Sequence, residues 1–227
     1  VLESGRLVQT PRPHAFSARS LNTDRLARRL APSDFIIAAP PGAADARVRV
    51  IEMVTDLVTA ERHLELPATH AEIKADPAAG LCKIAAVDRT HHPGKLFTGL
   101  IKGFGLTRGA AACSASWDTS DIVVVGADEA DMACAVNRIA DLQGGAVLCE
   151  DGRVQAEIAL PIFGIASGLP IAELAARLES FKRAIQRLGV GFHDPLLSLI
   201  TLTGAAIPYL RICEEGLVNL KDGKTLG

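Results

Sequence analysis

Aromatic residues are scarce in this chain. Phe, Trp and Tyr make up only 4% of its 227 residues, although 48% of the residues are hydrophobic. The core must therefore be built from aliphatic side chains, and a chain of this length can form one sizeable core or one domain with an appendage. No apolar run approaches the roughly 20 residues that cross a bilayer, and the first residues do not resemble a signal peptide. We therefore expect a cytoplasmic protein without membrane contact.

An excess of basic residues is also missing. The chain has 24 Lys and Arg residues against 26 Asp and Glu residues, and its formal charge is −2. Nucleic-acid binding requires clustered basic residues, which this composition does not provide. We therefore expect no nucleic-acid partner.

Sequence motifs for metal binding and for nucleophilic catalysis are absent as well. The six histidines form no H-x-H, H-x-x-x-H or H-E-x-x-H pattern. His63 and Glu65 match the H-x-E of zinc nucleobase deaminases, but the P-C-x-x-C that completes that signature is missing. The sequence also lacks the G-x-S-x-G elbow of serine hydrolases and the Walker loop of nucleotide-binding proteins. We therefore expect no metal site and no other cofactor within this chain.

The cysteines do not follow a disulfide pattern. Five cysteines are spread along the chain inside apolar runs, and no C-x-x-C occurs. This usage is typical of small buried thiols in a reducing compartment. The sequence therefore predicts free cysteines.

The most informative part of the chain is the stretch of residues 102–125. It begins with a glycine-rich run, continues with small residues and reaches a polar cluster at residues 117–121, WDTSD. Residues 122–125 are β-branched and Gly126 ends the run, a pattern typical of a buried strand. Polar residues at the mouth of a strand often form functional sites, and they also form simple capped turns. Both interpretations of the cluster stay open at this point.

The remaining patterns predict an α+β fold, with a mostly antiparallel sheet flanked by helices and no catalytic barrel. The clearest hairpin is centred on Asp151-Gly152, a dipeptide suited to a type I′ turn. Asp128 and Asp194 are placed to cap helices. The predicted strands cover residues 1–10, 47–55, 57–66, 82–87, 122–125, 146–150, 153–160 and a segment ending at 213, and the predicted helices cover 22–30, 128–142, 171–188 and a segment from 194.

Several of these segments resemble one known family. They are the K-G-F-G-L run at residues 102–106, the I-V-V-V-G run at 122–126, the L-P-I-x-G run at 160–164 and the D-R-T-H-H run at 88–92. Together they resemble the C-terminal domain of bacterial adenine deaminases, in the amidohydrolase superfamily. That family has H-D-S-H-N where this chain has WDTSD, so only Asp118 of the motif is kept.

The resemblance implies a division of the chain and a function. Residues 1–33 would be the end of a small β-sandwich strand with a linker, and residues 34–227 would be the C-terminal domain. The full enzyme would hydrolyse adenine to hypoxanthine and ammonia, with Mn, Fe or Zn bound in an amidohydrolase barrel that this chain does not contain. The resemblance also implies that barrel as the partner in cis, and a homo-oligomer. The chain alone would be inactive.

The resemblance also implies site residues, some as catalytic contributors and some at the mouth of the substrate site. The catalytic candidates are Asp118, Arg89 and His91, and the substrate-mouth candidates are Lys102, Trp117 and Asp121. Trp117 would replace an imidazole by an apolar stacking surface, and Asp121 would replace an amide by a carboxylate that only accepts hydrogen bonds. Two alternatives therefore stay open: an amidohydrolase with another substrate, or a non-catalytic binding or assembly module.

Overall fold

The computed structural model describes residues 2–8, 15–17, 21 and 26–226, which contain fifteen strands and three α-helices. The strands are β1 (Leu2–Glu3), β2 (Arg6–Leu7), β3 (Ile37–Ala38), β4 (Asp45–Met53), β5 (Thr59–Thr69), β6 (Glu72–Ile73), β7 (Leu81–Val87), β8 (Leu96–Lys102), β9 (Ala110–Cys113), β10 (Ile122–Gly126), β11 (Gly145–Glu150), β12 (Arg153–Ala159), β13 (Leu210–Cys213), β14 (Gly216–Asn219) and β15 (Lys224–Leu226). The helices are α1 (Glu129–Leu142), α2 (Ile171–Arg187) and α3 (Pro195–Ile200), with short 3-10 turns at Pro32–Phe35, Pro77–Ala79 and Thr201–Thr203.

Ten of the described strands form one open sheet, in the order β12-β11-β9-β10-β7-β8-β4-β5-β6-β3. Each neighbouring pair in this sheet is antiparallel except β4 and β8, which run parallel. The prediction of an α+β fold with a mostly antiparallel sheet is therefore confirmed. The open order of the described strands also agrees with the expectation that this chain contains no catalytic barrel.

The parallel pair forms a seam across the sheet. Only three residue pairs join the two strands, Val50 with Leu100, Ile51 with Ile101 and Glu52 with Lys102. On one side of the seam lie the strands of residues 81–159, and on the other side lie those of residues 37–73. A second sheet, β13-β14-β15, spans the seam because β13 contacts both β5 and β7 while β14 contacts β8.

Both faces of the large sheet are buried at its central strands β7, β9 and β10. Val123 and Val125 of β10 point into the core beneath α2, α3 and the C-terminal strands, whereas Ile122 and Val124 point into the core beneath α1. A strand that is covered on both faces reads as a continuous apolar run, which explains why β10 shows no alternation. The predicted buried strand at residues 122–125 is confirmed.

Helix α1 follows the sequence pattern closely. Asp128 caps it by accepting two backbone N–H bonds, and Met132 and Ile139 on the predicted stripe are fully buried. The helix ends at Leu142, and the residue after it, Gln143, has a left-handed conformation one residue before the predicted stop at Gly144. An acceptor at the N-cap and an apolar stripe together determine the extent of this helix.

Only the second half of the predicted apolar stripe of α2 is buried. Phe181, Ile185 and Leu188 lie in the core, but Ile171 is 82% exposed and Leu178 is 41% exposed. The helix therefore forms along the whole predicted length, but the hydrophobic core covers only its C-terminal turns.

The N-terminal segment differs from the prediction. The described residues 26–30 are not helical, and residues 22–25 of the predicted helix lie outside the described residues. Instead, Asn137 of α1 binds the backbone of Leu30 through both its Oδ1, which accepts the Leu30 N–H, and its Nδ2, which donates to the Leu30 carbonyl. Because these side-chain bonds hold the backbone of Leu30 against α1, a helix through residue 30 is wrong. Leu30 is nevertheless buried, as its apolar character suggests.

Candidate functional site

One end of the large sheet collects the polar segments of the sequence. Strand β10 runs antiparallel to β7 and β9, so Ile122 at its start lies opposite Val87, the last residue of β7. Val123 lies opposite Cys113, the last residue of β9. The segments that follow β7, β9 and β12 therefore meet the segment that precedes β10. We call this region, residues 88–92, 114–121 and 160–166, the polar end of the sheet.

Arg89 holds the polar end together from within. The side chain is buried, and its Nη2 donates to the carbonyl oxygens of Phe163 at 2.9 Å and of Ser114 at 3.4 Å. Ser114 Oγ donates to the carbonyl of Gly164 at 2.6 Å, so two segments are fixed against each other at the sheet end. Gly164 has a φ of +71°, and a Cβ built there would lie 2.5 Å from Arg89 Nη1. The glycine of the L-P-I-x-G run is therefore required by the approach of the guanidinium.

Asp88 shapes the loop that carries the two adjacent histidines. Its carboxylate accepts the backbone N–H groups of Thr90, His91 and His92. Burial alone would raise the pKa of Asp88, but these donors outweigh it and the pKa is lowered. The side chains of His91 and His92 are exposed. His91 therefore lies at the polar end, as a solvent-facing group beside it.

Asp121 is the buried acidic group of the polar end. Its side chain is only 3% exposed, and Oδ2 has no hydrogen-bond partner among the described residues. Burial raises the pKa of Asp121 to about 6, a hydrogen bond from Thr119 opposes the rise, and the charges of Glu214 and Asp88 add to it. A carboxyl group in this setting changes charge near neutral pH, which is common at functional sites and also occurs in structural networks.

Two more residues of the polar cluster at 117–121, Trp117 and Asp118, hold the cluster to the segment after α3. Asp118 adopts a left-handed backbone conformation, and its Oδ2 accepts the N–H of Ala205 at 2.6 Å. Thr203 Oγ1 donates to the Trp117 carbonyl at 2.7 Å, while the indole of Trp117 remains 43% exposed. Asp118 thus has a structural task in this chain, and Trp117 presents an apolar surface at the polar end.

The structure does not bring Lys102 to this site. Lys102 is the last residue of β8 and lies opposite Leu81, whereas the polar end lies beyond the other end of that strand. The glycine-rich run and the polar cluster are neighbours in sequence but lie at opposite ends of β9, because β9 separates them. Sequence reasoning missed Ser114, which is hidden in a run of small residues, and it overlooked Asp88, whose position directly after a buried strand was a usable signal.

Metal ligation is not supported by the donors in the described ranges. Within residues 2–8, 15–17, 21 and 26–226, no group of three or more His, Cys, Asp or Glu side chains is placed to hold a metal ion. The donor set of this domain therefore does not fit a catalytic divalent metal. In the same ranges, no helix is both long and apolar enough to span a bilayer.

Comparison with known proteins gives a consistent result. The family model described as the adenine deaminase C-terminal domain matches residues 56–224. The chain is 42% identical over 84% of its length to an adenine deaminase of Methylobacterium sp. strain 4-46, and 36% identical over 96% of its length to one of Moorella thermoacetica. An adenine deaminase of Clostridium botulinum strain Langeland is 31% identical over 96% of the chain. The chain spans only 33% to 37% of the length of these curated relatives.

Proposed function

Because the chain belongs to the adenine deaminase C-terminal domain family, we propose that the whole protein hydrolyses adenine to hypoxanthine and ammonia and that this chain is the part that supports the catalytic barrel. The observation that carries the proposal is the meeting of the family-like segments 88–92 and 160–164 with the polar cluster at one end of the sheet, around the buried Arg89 and Asp121. Residues 34–227 are the domain in this proposal, and residues 1–33 lead into it from the preceding part.

The proposal assigns the metal to the part of the protein outside this chain. A divalent ion, Mn, Fe or Zn, supplies a hydroxide at neutral pH by lowering the pKa of bound water. This domain contributes shape and charge instead. Arg89 and Ser114 fix the loop of residues 160–166, and Asp88 fixes the loop of residues 88–92, so both loops present a preorganised surface.

We place the contact with the barrel at the polar end. Phe163 is 53% exposed, Ile165 is 55% exposed and Trp117 is 43% exposed, and all three lie on the segments that Arg89 and Ser114 hold. Exposed apolar side chains grouped at one place typically mark a protein contact. A barrel packed in cis on this surface would bring Trp117 and the His91 loop close to the active-site mouth.

The first experiment measures ammonia release from adenine by the full-length protein and by the 227-residue chain, each supplied with Mn, Fe or Zn. We expect release by the full-length protein alone. Activity of the isolated chain would contradict the assignment of the metal to the missing part. No activity in either protein with any of the three metals would remove adenine as the substrate.

The docking surface has its own test. Phe163→Glu in the full-length protein should reduce adenine deamination at least tenfold while leaving the unfolding of the isolated chain unchanged, because Phe163 is exposed in the chain. The matched control is Val154→Glu, which changes a comparably exposed apolar residue on β12, away from the polar end. Equal effects of both substitutions would argue against this docking surface.

One observation favours a second candidate function, a different substrate for the whole enzyme. Trp117 and Asp121 stand where the family has His and Asn, and Trp117 is exposed at the polar end. In the full-length protein, the double substitution Trp117→His and Ser120→His should raise activity on adenine relative to other aminated bases. If the substrate preference stays the same, the departures of the polar cluster from the family motif have no bearing on specificity.

The proposal also includes a cytoplasmic location and a homo-oligomeric enzyme. No disulfide joins the cysteines of the described residues, and this usage favours a reducing compartment. Sedimentation of the full-length protein would measure the oligomeric state directly, and a monomer at micromolar concentration would remove that part of the proposal.

A further inference from the structure

Two of the five free cysteines are in direct contact. Cys134 lies on α1 and Cys149 on β11, and their sulfur atoms are 2.8 Å apart. Cys149 is buried, whereas Cys134 is half-buried. The two elements belong to the same face of the large sheet, where α1 covers the core that contains Cys149. This pair lies outside the polar end and has no part in the proposed deamination.

The elements that carry the two sulfurs are already fixed against each other. Asp131, one turn before Cys134, accepts the N–H groups of Asp151 at 3.2 Å and of Gly152 at 2.8 Å. These bonds hold the turn between β11 and β12 against the first turn of α1. A disulfide needs a sulfur separation of about 2.05 Å, so closing the pair requires a movement of less than about 1 Å.

The two thiols differ in their surroundings. Burial raises the pKa of the Cys149 thiol, and the contact with Cys134 and the charges of Asp131 and Glu157 raise it further. Cys149 is therefore the weaker nucleophile of the pair at neutral pH. Cys134 is the one that a dissolved reagent meets first, because it is the more accessible.

We propose that Cys134 and Cys149 are a modification site, at which a low-molecular-weight disulfide such as glutathione disulfide forms a reversible intrachain disulfide. The Cys134 thiolate attacks one sulfur of glutathione disulfide, which forms a mixed disulfide and releases one glutathione. Cys149 then attacks Cys134 Sγ and releases the second glutathione. The dithiol loses two electrons and two protons, and glutathione disulfide takes them up as two glutathione molecules.

The consequence is a covalent link between α1 and β11 at the end of the sheet opposite the polar end. Cys149 lies opposite Ala110, the first residue of β9, while the polar end begins after the last residue of that strand. The link should therefore stabilise the domain without changing the geometry around Arg89. Reduction by glutathione or thioredoxin-like dithiols would reverse it.

The test incubates the 227-residue chain with glutathione disulfide and counts free thiols after unfolding. We expect the loss of two of the five thiols and, in a proteolytic digest, a peptide pair joined through Cys134 and Cys149. Cys213 is a matched control because it is also half-buried and free, so Cys213→Ser should still form the link. Cys134→Ser and Cys149→Ser should form none.

Thermal unfolding provides a second measurement. The oxidised chain should unfold at a Tm higher by roughly 5 °C or more than the reduced chain, because the link closes a loop of about 15 residues in the unfolded state. Cys149→Ser should show no shift under the same treatment. Stable glutathione adducts without the joined peptides, or a link through Cys213, would overturn the proposal.

Discussion

Arg89 and Arg211 are both buried, at 3% and 1% exposure, and both donate to backbone carbonyl oxygens. Their neighbourhoods differ. Arg211 binds the carbonyls of Leu57, Ile207 and Pro208, and burial lowers its pKa to about 10. Arg89 lies at the polar end, in the sheet end that also carries the acidic groups of residues 88 and 121. Burial and hydrogen bonds to carbonyls therefore do not distinguish Arg211, a structural clamp, from Arg89, a candidate functional residue. Only their surroundings differ.

The largest expected effect comes from breaking the clamp. Arg211→Met should destabilise the chain by about 4 kcal/mol, because it removes three hydrogen bonds of a buried guanidinium and leaves the part-buried carbonyls of Leu57 and Ile207 without that donor. Urea unfolding of the chain measures this cost. Activity per folded full-length molecule should stay within twofold of the wild type. A large loss of specific activity would show that Arg211 is not purely structural. Arg153→Ala, at an exposed position, is the control and should cost less than about 0.5 kcal/mol.

The second prediction tests the packing of Arg89 through Gly164. Gly164→Ala should destabilise the chain by roughly 3 kcal/mol, since it adds an overlap with the guanidinium to the strain of a φ of +71°. Gly152→Ala is a matched control, because Gly152 has a φ of +69° and nothing within 4 Å of a built Cβ. The difference between the two variants in urea unfolding isolates the overlap. If the two substitutions lower the free energy of unfolding equally, the Arg89 side chain moves aside without cost. Arg89 would then be less firmly held than the comparison with Arg211 implies.

The smallest expected effect concerns the acidic neighbour of Arg89. The pKa of Asp121 is about 6 in the folded chain and 3.8 without perturbation, so the folded chain holds this proton more tightly than the unfolded chain does. Asp121 therefore lowers the free energy of unfolding of the wild type as pH rises from about 4 to about 6, and above that range its contribution no longer changes. Asp121→Asn lacks this titration. The free energy of unfolding of the variant minus that of the wild type should therefore be about 2 kcal/mol larger at pH 7.5 than at pH 4.

The measurement is urea unfolding of both proteins at several pH values between 4 and 8. Asp118→Asn is the control, because it removes an exposed carboxylate from the same end of the sheet. A difference between Asp121→Asn and the wild type that stays constant with pH would mean that Asp121 is not held in the protonated form, and that the polar end carries an ordinary carboxylate.

Much of the local structure follows from the sequence. The Asp128 cap and the apolar stripe predict α1, the Asp151-Gly152 dipeptide predicts the β11–β12 hairpin, and the β-branched run predicts β10. These signals act over a few residues, so a single sequence contains them. They determine elements and turns.

The arrangement of the site is less accessible to sequence reasoning. The meeting of Arg89, Ser114 and Gly164 depends on β9 lying between β10 and β11, which no local pattern states. The resemblance predicted that Lys102 and the polar cluster share a substrate mouth, but β9 places them at opposite ends. The segment before Leu30 reads as a helix because its leucines are one turn apart, yet Asn137 on α1 satisfies the backbone instead. Tertiary partners decided each of these outcomes.

The three-pair seam between β4 and β8 bears on the order in which the domain is assembled. The β4–β5, β7–β8 and β11–β12 pairs each join strands that are consecutive in sequence, so they can form early, whereas the parallel pairing joins residues about 50 positions apart at little gain. The strands that span the seam come from the end of the chain, and Arg211 on β13 binds the turn between β4 and β5. A ribosome must therefore release nearly the whole domain before the second sheet can span the seam, and a nascent chain that stops before residue 210 would have only the three β4–β8 pairs to join the two halves.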